Sequence, residues 1–196
     1  MHLALFDFDH TVTACDSYSR FLRGIASPQQ LARARWTVGP WLLGYRLGLV
    51  SAAGIRARAT RAAFAGRDAA EISALAARYA EEELPRLLRP EMMQRIAWHR
   101  AREHRVVVVS ASLDLYLQPW CERHGLELLC NRLEVRGGRL TGRYRGADIG
   151  PRKAPEIGRL YRLGDFARIH AYGDSREDRG MLALAHERWY AGKRIA

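Results

Sequence analysis

Two short acidic clusters, Asp7-Phe8-Asp9-His10-Thr11 and Gly173-Asp174-Ser175-Arg176-Glu177-Asp178, lie near opposite ends of the chain. Asp7 and Asp9 are two residues apart at the end of an extended apolar run, so both can face one crevice. Carboxylates held close repel each other unless a cation or a shared proton relieves them. Asp174 supplies a third carboxylate, and Asp178 follows one helical turn later. With no Cys or His ligand pattern beside them, Asp7, Asp9, Asp174 and Asp178 suit a hard, oxygen-seeking divalent ion, Mg²⁺. Ser110 ends another apolar run ahead of a helix, where its hydroxyl and the free N–H groups around Ala111 can meet an anion. Lys153 adds a compact positive charge. Carboxylates, a hard cation, N–H donors and a lysine together describe a site for phosphoryl transfer, where catalysis is mainly positioning and charge neutralisation.

Taken singly, each piece has an ordinary explanation. Asp-x-Asp-x-Thr also makes a strand-end turn, Asp174 or Ser175 also makes a helix N-cap, and a lone serine or lysine is commonplace. Their joint order carries the weight, because each cluster ends its own apolar run. Val106-Val107-Val108-Val109 is uninterrupted and β-branched, the pattern of a strand buried on both faces of a parallel sheet. Leu3 to Phe8 and Ala167 to Tyr172 look similar. Helical patterns over Glu91 to His104, Leu113 to His124 and Ala154 to Leu163 separate the strands, which predicts an α/β fold with right-handed crossovers. In such a sheet, ligands bind beyond the carboxyl ends of the strands.

Two interruptions are expected. Ala- and Arg-rich helical segments, punctuated by Ser27-Pro28, Gly39-Pro40 and Gly66, fill residues 15–90. A connection that long must carry its own structure, so it reads as a helical cap over a core of residues 1–14 and 91–196. Gly137-Gly138, between Leu133-Glu134-Val135 and Leu140-Thr141, predicts a β-hairpin.

The chain has 196 residues, 48% hydrophobic and 27% charged, which is ordinary globular composition. Its net charge is +11, and all but two of its 32 basic residues, Lys153 and Lys193, are arginine. The arginines are dispersed and the chemistry-bearing residues are acidic, so a basic nucleic-acid-binding protein is the least favoured class and no nucleic-acid partner is expected. Cys15, Cys121 and Cys130 have no CxxC spacing, and their odd number fits a reducing cytosol rather than a disulfide framework. An acidic residue follows the start too soon for a signal peptide. The stretch Val38 to Val50 contains Arg46 and falls short of the roughly 20 apolar residues of a spanning helix. A cytoplasmic protein is expected, with a peripheral place at the inner membrane surface left open.

With these residues in view, the chain resembles the haloacid-dehalogenase-like hydrolases, and within them the phosphoserine-phosphatase-like branch with a helical cap. The resemblance rests on Asp7 to Thr11, Val109 to Ser112, Lys153, Gly173 to Asp178 and the hairpin beginning Cys130-Asn131-Arg132. It implies a Rossmann-like three-layer core and a Mg²⁺-dependent phosphatase acting on a small phosphomonoester. Asp7 would be the nucleophile forming an aspartyl-phosphate, and Asp9 the general acid and base. Asp7, the Asp9 carbonyl and Asp174 would hold Mg²⁺. Asp178 would be a water-bridged metal partner or an orienter of Lys153. Ser110, Ala111, Lys153 and Thr11 would bind the phosphoryl group or fix its loop. His10 stands where the family usually has Gly or Ser.

Specificity would come from the cap, where Asp16, Arg56 and Arg61 are the candidate substrate residues. Asp16 stands roughly where phosphoserine phosphatases carry a glutamate, but no acidic cluster surrounds it. Trp36, Trp41, Leu42, Leu43, Tyr45, Leu47 and Leu49, beside Arg33, Arg35 and Arg46, give the cap unusual apolar bulk. Ordinary cap packing explains them, and so does an interfacial helix delivering a lipid phosphate such as phosphatidylglycerophosphate from an anionic membrane. A phosphotransferase of the same fold is a further alternative.

Overall fold

A computed structural model describes residues 1–27, 29, 32 and 36–195. Its central sheet has six strands in the order β3-β2-β1-β6-β7-β8. They are β1 (His2–Phe6), β2 (Arg105–Leu113), β3 (Glu127–Asn131), β6 (Arg168–Gly173), β7 (Glu187–Tyr190) and β8 (Lys193–Ile195). All neighbours pair parallel except β7 and β8, which form an antiparallel edge. The valine run forms the buried centre of β2, covered on both faces, as an uninterrupted apolar strand requires.

Alternation along the strands divides the core into two layers. Ala4, Phe6, Val106, Val108 and Tyr172 face one side, with Phe8, Tyr116 and Trp120. Leu3, Leu5, Val107, Val109, Ile169 and Ala171 face the other, with Ile157 and Met181. The fold is therefore the expected α/β architecture, with helices on both faces of a mainly parallel sheet.

The sequence between β1 and β2 is helical as expected: α1 (Ser17–Ile25), α2 (Gly39–Arg46), α3 (Ala52–Phe64), α4 (Ala69–Arg78) and α5 (Pro90–Arg100). Side chains cap three of them, since Asp16, Ser51 and Asp68 accept the N–H groups of Ser19, Gly54 and Ala70 respectively. Of the cap arginines, Arg33, Arg35 and the Arg46 side chain lie outside the described residues. Helices α6 (Asp114–His124), α7 (Lys153–Leu160) and α8 (Arg179–Ala183) complete the crossovers.

One expectation needs correction. Ser110 does not end its strand. β2 runs on to Leu113, with a register shift against β3 between Ser110 and Leu113, so helix α6 begins only at Asp114. The Gly137-Gly138 hairpin forms as β4 (Leu133–Arg136) and β5 (Arg139–Tyr144), both glycines having positive φ. It does not join the core sheet, however. Its backbone bonds the helical segment instead: Gly66 N–H to the Leu140 carbonyl, Leu140 N–H to Arg67, and Ala69 N–H to Gly138.

Candidate functional site

β1 and β6 end side by side, and the Asp7 N–H continues their ladder to the Tyr172 carbonyl at 2.9 Å. This places Asp7 opposite the loop that begins at Asp174. Carboxylate oxygens of Asp7, Asp174 and Asp178 lie within 4.8 Å of one another. Lys153, the first residue of α7 and 3% exposed, reaches between them. Its Nζ donates to Asp7 Oδ1 at 2.5 Å and to Asp178 Oδ1 at 2.6 Å.

The surroundings set the charges. Burial pushes the Asp7 carboxyl up, and Lys153 only partly offsets this. Burial and the neighbouring Asp178 likewise raise Asp174. Burial would raise Asp178 as well, but the Lys153 charge and the bonds from Lys153 and Ser175 overcome it and hold Asp178 low. Burial opposes the Lys153 charge, yet its two carboxylate partners outweigh that and keep it cationic.

Asp178 anchors the loop that carries Asp174. Its Oδ2 accepts the N–H groups of Asp174 and Ser175 and the Ser175 hydroxyl, while Oδ1 is held by Lys153. Four donated hydrogen bonds hold this carboxylate in place, as an orienter of Lys153 requires. Asp7 and Asp174 remain as raised, incompletely neutralised carboxylates, and an oxygen-only set of this kind fits a hard divalent cation.

Asp9 stands apart from that trio. Its Oδ1 accepts the Ser17 N–H at 2.7 Å, and its Oδ2 accepts the Ser112 hydroxyl. Its side chain is therefore not a metal ligand, and any metal role for Asp9 falls to its backbone carbonyl. Burial and then the charge of Asp16 raise its pKa, which brings a protonated form closer to neutral pH. His10 follows at φ 59°, ψ −7°. That left-handed conformation explains why glycine suits the position and why a histidine is among the residues that tolerate it.

The remaining candidates divide. The Ser110 hydroxyl accepts the Ser112 N–H at 3.0 Å, keeping its own proton for an acceptor in the cavity. Ala111 lines that cavity, and its carbonyl is held by Asn131. Thr11 is buried and donates to Asp174 Oδ1 at 3.3 Å, so it orients a carboxylate instead of touching phosphate. Asp16 lines the cavity, but both its oxygens accept from Ser19, as an N-cap. Arg56 also lines the cavity, where Asp148 and Glu177 hold it in ion pairs at 2.9 and 2.8 Å. Arg61 is exposed beside Gly142 of the hairpin and does not line the cavity, so it is withdrawn as a substrate residue.

The cavity has a volume of about 1000 Å³ and is open to solvent. Asp7, Asp9, Ser110, Ala111, Lys153 and Asp174 form its floor, and Val38, Leu42, Tyr45, Leu49, Val50 and Ile55 its helical wall. Arg176 lines it too, exposed and without an ion pair among the described residues. Sequence reasoning missed Arg176 and Asp148. The first was legible as the cation inside Gly173–Asp178, whereas the second depends on a pairing 92 residues away.

Comparison with known proteins agrees with this construction. The family model for haloacid dehalogenase-like hydrolase matches residues 4–183. Protein CicA of Caulobacter vibrioides is 34% identical over 197 residues, covering 96% of this chain and 85% of that protein. A crystal structure of a protein of unknown function from Bordetella pertussis Tohama I superposes with TM-score 0.79 at 24% identity, covering 95% of this chain and 88% of its own. A probable phosphoserine phosphatase from Vibrio cholerae superposes with TM-score 0.71 at 21% identity, covering 96% and 55% respectively. The solved structures share the fold. With the family model spanning nearly the whole chain and the acidic, serine and lysine motifs meeting in one cavity, the protein belongs to the haloacid dehalogenase-like hydrolases.

Proposed function

We propose that the protein is a Mg²⁺-dependent phosphatase that hydrolyses a phosphomonoester through an aspartyl-phosphate on Asp7. The observation that carries this reading is Lys153, buried between Asp7 and Asp178 with Asp174 alongside, on the floor of an open cavity. A carboxylate fixed by an ammonium and left partly unneutralised suits an attacking group that works beside a cation. Among the fold neighbours, those described as phosphoserine phosphatases fit the same reaction type.

In this scheme an Asp7 oxygen attacks phosphorus in line, forming the O–P bond as the bond to the leaving oxygen breaks. Asp9, its pKa raised, gives its proton to that alkoxide. The resulting Asp9 carboxylate then takes a proton from water, whose oxygen attacks phosphorus and returns the Asp7 carboxylate with release of phosphate. Ser110 and Lys153 donate to the phosphoryl oxygens, and Asp178 and Thr11 keep Lys153 and Asp174 in place. Asp7, Asp174 and the Asp9 carbonyl would hold Mg²⁺, which when bound screens the repulsion between carboxylate and phosphate dianion.

A second reading concerns the substrate, which we infer to be an amphiphilic phosphate carried by a lipid. Leu42, Tyr45 and Leu49 line the cavity and are also 48%, 48% and 80% exposed. Trp36, Leu43 and Leu47, close by in sequence, are exposed as well. Phosphoserine has less support, because Asp16 is used as an N-cap and Arg56 is ion-paired. No helix among the described residues is long and apolar enough to cross a membrane, so contact would be interfacial.

A phosphate-release screen over small phosphomonoesters and lysophospholipid phosphates, with and without Mg²⁺, tests both readings. Release without an added acceptor separates a hydrolase from a phosphotransferase, and Asp7→Asn must abolish it. Unchanged activity in Asp7→Asn removes the assigned nucleophile. Failure to float with anionic vesicles at low salt removes the lipid reading while leaving the phosphatase intact.

A further inference from the structure

At the amino ends of the strands, across the sheet from Asp7, four histidines gather: His2, His99, His104 and His170. Strand register explains the meeting. β1 and β2 pair Leu3 with Arg105, which sets His2 beside His104 one residue earlier. β1 and β6 pair Ala4 with His170. Because side chains alternate, His2, Ala4, His104, Val106 and His170 stand on one face. The ring centroids lie 4.4 Å apart for His2–His104, 5.7 Å for His2–His170 and 5.8 Å for His104–His170.

These rings are poorly satisfied as a packed core. His170 is 4% exposed, yet neither of its nitrogens has a hydrogen-bond partner among the described residues, and His2 Nδ1 is buried without a hydrogen bond as well. Buried polar atoms left in this state are costly unless something binds them. One nitrogen each from His2, His104 and His170 falls within 4.8 Å of the other two. Supporting groups stand behind them. His99 Nδ1 meets His104 Nδ1 at 2.8 Å while its Nε2 meets the Tyr172 hydroxyl at 2.9 Å, which fixes the His104 ring. Glu187 Oε2 lies 3.8 Å from His170 Nδ1, the kind of carboxylate that orients a ligating imidazole.

We propose that His2, His104 and His170 form a second metal site, for a late first-row divalent ion such as Zn²⁺, that clamps the amino ends of β1, β2 and β6. Imidazole donors select such ions over Mg²⁺, so this site and the acidic centre divide metals by chemistry. Zinc holds nitrogen at about 2.0–2.1 Å, which puts tetrahedral ligands roughly 3.3 Å apart, so the cluster closes by side-chain adjustment of about an ångström. The clamp is independent of the phosphatase reading.

The test uses the full chain, stripped with chelator and dialysed against Zn²⁺ in excess Mg²⁺, with bound metal counted by mass spectrometry and melting followed with and without Zn²⁺. We expect one Zn²⁺ per chain and a raised Tm in the wild type and in Asp174→Asn. His170→Gln and His2→Gln should each bind Zn²⁺ at least tenfold more weakly, with no rise in Tm. His2 is only partly buried, so His2→Gln keeps the test valid if His170→Gln folds poorly. The site is refuted if the wild type binds no Zn²⁺ in excess Mg²⁺, if Asp174→Asn alone loses it, or if His2→Gln binds it as the wild type does.

Discussion

Replacing Lys153 by methionine keeps the unbranched apolar stem and removes the ammonium 2.5 Å from Asp7 and 2.6 Å from Asp178. All three groups are buried, at 3%, 6% and 0% exposure, so the two carboxylates cannot turn to solvent for compensation. Removing one partner of a buried ion pair costs about 3–5 kcal/mol, and that is the loss expected at neutral pH without metal. The sign of its pH dependence follows. In the wild type the Lys153 charge overcomes burial at Asp178 and limits its effect at Asp7. Without Lys153, burial raises Asp7 further, and at Asp178 it is opposed only by the bonds from Asp174 and Ser175, so both rise relative to the wild type. A carboxyl whose folded pKa lies above its unfolded value of about 4 lowers stability progressively as pH climbs from that value through the folded one. Between about pH 4 and pH 7 the deficit should therefore grow with pH, and shrink on acidification as the unfolded carboxyls also take up protons. Urea denaturation of both proteins across this range, in metal-free buffer, measures it. A deficit below about 1 kcal/mol at neutral pH, or one that grows on acidification, would refute the reasoning. Phosphate release should fall about 10²–10³-fold, the usual loss of a positioned donor to the reacting oxygens.

Three other substitutions probe the scaffold. A Cβ on Gly173 would sit 2.6 Å from Asp178 Cβ and 2.8 Å from its Cγ, so Gly173→Ala should cost about 1–3 kcal/mol and lower kcat at least tenfold by moving Asp178 off Lys153, read by melting and steady-state kinetics. Arg56→Ala cuts α3 from Asp148 and Glu177; it should cost about 2–3 kcal/mol and speed amide exchange in Ala52–Phe64. At φ 59°, His10→Gly should be more stable than His10→Ala by about 1 kcal/mol and keep activity, whereas a large activity loss would give the His10 side chain a chemical role.

The catalytic half of the sheet was legible because its strands are fully buried and their apolar runs have no competing pattern. β1, β2 and β6 end where the acidic and serine motifs begin, within a few residues. β3, Glu127-Leu128-Leu129-Cys130-Asn131, is short, and its tail was read together with the hairpin that follows. β7 and β8, Glu187-Arg188-Trp189-Tyr190 and Lys193-Arg194-Ile195, are polar edge strands that resemble a surface tail until pairing with β6 is known. Ser110-Ala111-Ser112 reads as the end of the strand, yet β2 continues past it, with the Ser110 hydroxyl taking the Ser112 N–H where the pairing with β3 is broken until Leu113. At the site, residue types and order identified the Asp7, Lys153 and Asp174 set. The division of labour among Asp9, Thr11, Asp16, Arg56 and Asp178 depends on which oxygens are already hydrogen-bonded, and those partners are distant in sequence. The histidine cluster was hidden for the same reason, since His2, His104 and His170 meet only once three strands are in register.

Rapid acid quench of the enzyme with a radiolabelled phosphomonoester and Mg²⁺, followed by peptide mapping, tests the nucleophile most directly. We expect a hydroxylamine-sensitive phosphoryl label on the peptide containing Asp7, formed before phosphate release and absent from Asp7→Asn. Phosphate released with no label on the enzyme, a label on a different residue, or wild-type turnover by Asp7→Asn would contradict it.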